Sequence, residues 1–326
     1  MKVFPSSKNS FFNDVILAGL KEGIKASWSI IKIMIPISLI ITLLKYYGFI
    51  NVLSEIVSPL FGFIGLKGEA ILALISGYFI NCYSAIAVMA TLSLTAKEIT
   101  ILSTMLLLCH TLPVELSVQK RAGGSFLLIM FIRFFSSLFI GVILNYIIPN
   151  SEDYMSVVVY PVTVNNPTSF LNIITDWLFE NIAIIKIILI NVLITIFYKI
   201  LKMYNIIEKI SGTFKYLMFI FGLPEETAFL WIVTNIIGLI YGGSMLIDAK
   251  NKKSIDDISL KKLNISISTC HSIIQETANF LAIGANIAYL IVPRLIISII
   301  SVWIYNLFLF LRNSNVKSLN MSTLKK

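Results

Sequence analysis

Apolar residues fill this chain in blocks of about twenty, enough helix to cross a ~30 Å hydrocarbon layer. The blocks fall into two sets with one plan. Each set opens on an amphipathic stretch. In the first, Phe12, Ile16, Leu20 and Ile24 share a helical face, with Asn13, Lys21 and Lys25 off it. In the second, Phe170, Ile174 and Trp177 share one, with Asp176 and Glu180 off it. Such helices lie in the membrane interface or pack on a bundle. A spanning segment follows in each set, 27–47 and 183–204. Next comes a segment broken in its middle: 68–93, interrupted at "SGYFINCYS", and 217–247, interrupted at "GLIYGGS". Two longer helices close each set, 95–119 with 123–148, and 263–281 with 285–311.

The two sets are an internal repeat. "FIGLKGEA" at 63 returns as "IFGLPEET" at 220, an offset of 157. Cys109, His110 and Glu115 return as Cys270, His271 and Glu276, and Gly123 and Arg133 as Gly284 and Arg294, all at an offset of 161. The boundaries that follow are a first repeat at 1–150, an external linker at 151–168, a second repeat at 169–314 and a tail at 315–326.

Composition settles the class: 57% of residues are hydrophobic and 13% charged, against about 45–50% and about 25% in soluble domains. Recurrent apolar blocks in such a chain mean a polytopic helical membrane protein. The polar start "MKVFPSSKNSFFNDV" lacks the apolar core of a signal peptide, so the first hydrophobic segment is expected to be retained. The net charge of +9 reads as positive cytoplasmic loops rather than a nucleic-acid surface. The three cysteines, Cys82, Cys109 and Cys270, sit in apolar stretches and do not form a disulfide framework.

Charge also sets the topology. Each arm of a broken segment, about twelve residues or ~18 Å of helix, is too short to span. Residues 150–185 carry Glu152, Asp153, Asp176 and Glu180 but no Lys or Arg, so that loop reads as outside. The N-terminus, Lys120–Arg121, the stretch from Lys199 to Lys215, the five lysines of 248–262 and the tail read as inside. Only re-entrant hairpins satisfy all of these, with Lys67 and Lys97 as minor violations. The expected fold is therefore an all-α polytopic membrane protein built as an inverted repeat. It has about six spanning helices, two re-entrant helical hairpins and two amphipathic interfacial helices. Secondary transporters use this plan, with the site near the midplane where broken helices meet. Irregular backbone at that depth survives only beside protein or a water-filled cavity. The hairpin tips, Asn81 to Ser84 and Tyr241 to Ser244, are therefore candidate walls, with Asn81, Ser84, Tyr241 and Ser244 as candidate binding residues, or simply tight turns.

Ionisable groups in spanning helices are costly and mark function by default. His110 and His271, the only histidines, each fall near mid-membrane. Paired with Cys109 and Cys270 they would offer thiolate and imidazole ligands suited to Zn, Fe or Cu. On a regular helix Glu115 points about 140° from His110. Arg133 is its better partner, since Glu115 is eight residues before Gly123 and Arg133 ten after it; Glu276 and Arg294 repeat that spacing about Gly284. Two structural ion pairs are predicted. Ser268, His271, Gln275 and Asn279 make a polar stripe that suits a polar solute, such as a nucleoside, as well as a metal, or helix–helix hydrogen bonds. The histidines are open to both proton-relay and ligand roles.

"SGYFINCYSAIAVMATLSLTAKEI" followed by "CHTLPVELSVQKRAGG" resembles the Gate, or nucleoside-recognition, domain, with the second half a diverged copy. Similar domains occur in the ferrous-iron transporter B family and in spore-maturation membrane proteins, and more distantly in concentrative nucleoside transporters. The resemblance implies a membrane transport fold and fixes no substrate. No P-loop pattern accompanies it, so nucleotide-driven transport is not expected. The expectation is a non-enzymatic secondary transporter of the cytoplasmic membrane, both termini inside, working by alternating access. The cargo favoured is a divalent transition-metal ion; a nucleoside or other small polar solute is the alternative. A non-transporting envelope or spore-maturation-like assembly protein is the third reading. The partners expected are the bilayer and the solute or metal ion, with no nucleic acid, no cofactor, and homo-oligomerisation left open.

Overall fold

The computed structural model describes residues 11–151, 175 and 182–323. Every regular element among them is a helix. The expected linker at 151–168, beyond its first residue, and the second amphipathic stretch around Phe170, Ile174 and Trp177 lie outside the described residues.

The chain opens on a π-type turn, Phe12–Leu17, that runs on without a break as Ala18–Tyr46 (α1). The first amphipathic stretch is thus the start of the spanning helix and not a separate interfacial element. No breaker separates the two until Gly48, which turns the chain at φ 75. An amphipathic helix not foreseen in the sequence, Phe49–Ile64 (α2), follows and ends at Gly65, φ 74. Only glycine takes such angles freely.

The first broken segment is Ile71–Phe79 (α3) and Cys82–Met89 (α4). Asn81 caps α4: its Oδ1 accepts from Ser84 N at 2.9 Å, and Ser84 Oγ accepts from Asn81 N at 3.2 Å. Ala96–Leu108 (α5), Leu112–Arg121 (α6) and Phe126–Ile147 (α7) close the first half. The second half runs Ile182–Met203 (α8), Ile206–Phe214 (α9), Ala228–Ile237 (α10), Leu239–Asn251 (α11), Asp257–Cys270 (α12), Ile273–Leu281 (α13) and Ile287–Thr323 (α14). Four helical stretches among the described residues are long and apolar enough to cross a membrane: 12–44, 96–121, 126–147 and 287–314. The second broken segment divides at Gly238, φ 91, and not at Tyr241–Ser244, which lie inside α11.

The core follows the repeat. One buried apolar cluster centres on α3 to α7 and a second on α10 to α14. The lysines that broke the charge rule are helix-end groups. Lys97 Nζ donates to Asn145 O (2.8 Å) and Asn150 Oδ1 (2.7 Å), at the negative end of α7. Lys67 Nζ donates to Ser93 O at 2.5 Å and lies 3.8 Å from Glu98.

The halves meet along α1 and α8. Gly19 and Gly23, one turn apart, set that crossing. A Cβ on Gly23 would lie 2.8 Å from Val192 Cα, and one on Gly19 3.0 Å from Ile196 Cα. Small residues let membrane helices approach closely because van der Waals packing drives their association. The same stretch of α8 carries Asn191, so this close approach fixes a polar group at the interface. Gly23→Val is expected to cost about 1–3 kcal/mol by overpacking and to lower the melting temperature in detergent. Gly62→Ala, where a Cβ meets nothing within 4 Å, is the control and should melt like the parent. Equal melting of all three would contradict a tight α1–α8 crossing.

Candidate functional site

The two histidines sit at helix breaks. α5 stops at Leu108, and Thr111 takes a left-handed φ of 48 before α6 begins. α12 stops at Cys270, and Ser272 takes φ 52 before α13 begins. Each left-handed residue donates its N–H across to a broken segment: Thr111 N to Gly77 O (2.9 Å) and Ser272 N to Thr234 O (3.0 Å). The continuous helices expected over 95–119 and 263–281 are therefore each two helices. Pro113 sits at the start of α6, where its missing N–H costs nothing.

Breaking a helix frees carbonyls that a low-dielectric interior must satisfy. Two fully buried arginines do this. Arg133 donates from Nε to Leu108 O (3.1 Å) and from Nη2 to His110 O (2.8 Å). Arg294 donates from Nε to Thr269 O (3.2 Å) and from Nη2 to His271 O. These bonds repeat at the 161-residue offset of the sequence.

The ion pairs are unequal. Arg133 Nη1 meets Glu115 Oε2 at 2.5 Å. Arg294 Nη2 stands 3.8 Å from Glu276 Oε2, an oxygen with no hydrogen-bond partner, while its Nη1 donates to Thr277 Oγ1 at 3.4 Å. The breaks also turn the glutamates back onto the histidines, contrary to the 140° separation of a regular helix. His110 Nε2 lies 3.1 Å from Glu115 Oε1 and 3.1 Å from Glu276 Oε1, and His271 Nε2 lies 3.2 Å from Glu115 Oε1.

The imidazoles face each other, Nε2 to Nε2 at 3.3 Å. Each Nδ1–H donates to a backbone carbonyl four residues back, Leu106 O at 2.9 Å and Ile267 O at 2.8 Å. A carbonyl only accepts, so each Nδ1 carries a proton and Nε2 is the nitrogen each ring turns inward, toward the carboxylates and its partner. This is the outer hydrogen bond that orients metal-ligating histidines. The edges His110–His271, His110–Glu115 and His271–Glu115 are 3.3, 3.1 and 3.2 Å. A tetrahedral ion with bonds of about 2.0–2.1 Å has ligand–ligand edges of about 3.3–3.4 Å. The triangle therefore suits one face of such an ion.

The cysteine ligands named from the sequence are corrected. Among the described residues, neither Cys109 nor Cys270 belongs to a group of three or more ligating atoms within 4.8 Å; Cys82 does, with His110 and Glu276. Each Cys-His pair spans the point where the backbone leaves its helix, Cys109 at φ -142 and His271 in an extended conformation, and the two side chains of a pair go to different surroundings. Cys270 Sγ instead bonds Ser266 O (3.1 Å) and Ser298 Oγ (3.5 Å), and Cys109 is wholly buried in the core.

Gln275 and Asn279 belong to a network that α8 completes. Asn191 Oδ1 accepts from Gln275 Nε2 (3.0 Å) and Tyr83 Oη (3.1 Å), and Asn191 Nδ2 donates to Asn279 Oδ1 (3.2 Å). Asn191 and Tyr83 carried no local signal beyond a polar group in an apolar block and a place at the first tip. Ser268 leaves the stripe, since the break at Ser272 turns the helix, and bonds Ile265 O. Asn81 and Ser84 are occupied in capping α4, and Ser84 Oγ also donates to Ser76 O at 3.0 Å. Ser244 lines a separate cleft with Glu226 and Asp248. The Tyr241 side chain lies outside the described residues.

Residues 27–148 match the family model described as Gate, nucleoside recognition. The uncharacterized membrane protein YvoD of Bacillus subtilis (strain 168) is 25% identical over 281 residues, covering 86% of this chain and 90% of that protein. Among solved structures, CNTnw, a concentrative nucleoside transporter, in an outward-facing state is similar with a TM-score of 0.57 and 15% identity, covering 83% of this chain and 74% of that one. The chain is an all-helical membrane protein with the fold of a transporter.

The unequal ion pairs give an order of stability. Glu115→Gln strips Arg133 of its carboxylate and is expected to cost at least ~2.5 kcal/mol. Glu276→Gln is expected to cost less, because Arg294 keeps three other acceptors. Melting curves in detergent read both. A lower melting temperature for Glu276→Gln than for Glu115→Gln would contradict this order.

Proposed function

We propose that the protein is a secondary transporter that carries a divalent transition-metal ion across the cytoplasmic membrane by alternating access. The observation that carries this reading is the triangle of His110 Nε2, His271 Nε2 and Glu115 Oε1. It offers two neutral imidazoles and a carboxylate, a donor set suited to Zn-like ions. One ligand comes from the first half's break and another from the second's, so relative movement of the halves would assemble and dismantle the site. The buried clusters, one mainly in each half, support such movement.

The charges suit a carrier. Two arginines offset two glutamates, so with neutral histidines the cluster is formally uncharged before cargo arrives. Arg133 holds Glu115 Oε2 at 2.5 Å and so competes with an ion for that carboxylate. Competition of this kind weakens binding, and a carrier must release what it binds.

A second reading has its own support. The network of Tyr83, Asn191, Gln275 and Asn279 is neutral and rich in donors and acceptors. It suits a small polar organic solute, and the fold shared with a nucleoside transporter points the same way.

Metal and nucleoside binding to purified protein separates these readings. His110→Ala/His271→Ala is expected to weaken Zn²⁺ or Co²⁺ binding by roughly a hundredfold or more, since even lost outer-shell partners cost about 10–100-fold. Its melting temperature without metal should stay close to the parent's. Unchanged metal affinity in the double variant, or nucleoside binding in a protein that binds no metal, would overturn the metal reading.

A further inference from the structure

Two groups of ligating atoms meet at one nitrogen. Cys82 Sγ, His110 Nε2 and a Glu276 carboxylate oxygen lie within 4.8 Å of one another, as do His110 Nε2, Glu115 and His271. His110 belongs to both. Its Nδ1 is committed to Leu106 O, so it has one lone pair to offer, at Nε2. One lone pair ligates one ion, so the two groups cannot be filled at once.

They also differ in access. The side chain of Glu276 is 18% exposed, against 10% for Glu115 and 1% for His271. Glu276 Oε2 has no hydrogen-bond partner, while Glu115 Oε2 is held by Arg133. The more open group therefore holds the less committed carboxylate. Its third member, Cys82, opens α4 beside the break at Asn81.

We propose that these are successive subsites for one ion, with His110 as the pivot. The ion is received by Cys82, His110 and Glu276, then passes to Glu115 and His271 while staying on His110. Resting on the metal reading, the relay narrows the cargo to thiophilic divalent ions, because the receiving group holds a sulfur. Cys82 ligates as thiolate, its proton leaving to solvent as the ion enters and being taken up again when the ion passes to Glu115 and His271. The hand-off exchanges the partly exposed Glu276 carboxylate and the Cys82 thiolate for Glu115 and a fully buried imidazole, so the ion becomes more enclosed as it moves inward.

Cadmium is the probe, because a Cd–thiolate bond gives an ultraviolet charge-transfer band, read as a difference spectrum against the metal-free protein, that imidazole and carboxylate ligation does not. The full-length parent is expected to bind one Cd²⁺ per chain. His271→Gln should still bind one, with the thiolate band present and affinity within roughly tenfold of the parent, but should not carry Cd²⁺ into proteoliposomes. Cys82→Ser should bind one Cd²⁺ with no band, although Cys109 and Cys270 remain. Two ions per chain, a band that survives Cys82→Ser, or loss of all binding in a folded His271→Gln would each overturn the relay. If His271→Gln does not fold, the parent stoichiometry and the Cys82→Ser spectrum still decide. A parent that binds no Cd²⁺ would sink the metal reading itself, a result distinct from the others.

Discussion

Two buried guanidinium groups hold this structure together at its centre. A helix interrupted inside a membrane protein leaves carbonyls that neither water nor lipid can satisfy, each costing several kcal/mol. Arg133 and Arg294 place planar forks of donors on those carbonyls, Leu108 O with His110 O and Thr269 O with His271 O. A lysine, with one compact ammonium, could not reproduce the spread of these contacts. Fully buried charge then demands a counter-charge, which the glutamates supply.

The rest of the centre follows from those two staples. Because the backbone turns at Thr111 and Ser272, both imidazoles are aimed at the same point, and Glu115 returns to them instead of pointing away. The pairs are not equivalent: Arg133 is locked to Glu115, whereas Arg294 relies on carbonyls and Thr277 and leaves Glu276 loosely held. A duplicated motif thus yields an asymmetric centre with one committed carboxylate and one available one. The α1–α8 crossing adds Asn191 from outside the motif and ties it to Tyr83 and Gln275.

Much of this was legible in the sequence, and what was not has physical reasons. The repeat announces itself through rare residues at one offset, which is enough to pair His110 with His271 from the sequence alone. The eight-and-ten spacing about Gly123 gave the Glu115–Arg133 pair, because it needs only two antiparallel helices. The helix breaks left no such trace. Thr111 and Ser272 are left-handed without being glycine, and only Pro113 hinted at an interruption. Missing the breaks misdirected Glu115. Gly238 was seen within a glycine-rich stretch, but periodicity could not say which of three glycines carried the turn. Cys82 and Tyr83 lie in the tip that the sequence offers as a site wall, but which of its side chains reach the centre, and that Asn191 joins them, is decided by tertiary packing.

The central claim is that the opposed imidazoles form a cation site, and metal-edge X-ray absorption of the purified protein loaded with one equivalent of Zn²⁺ tests it most directly. The expected spectrum has at least two imidazole nitrogens and a carboxylate oxygen at about 2.0–2.1 Å, with the imidazole signal lost in a variant lacking both histidines. A stoichiometrically bound zinc with no imidazole scattering, or a protein that retains no zinc, would contradict it.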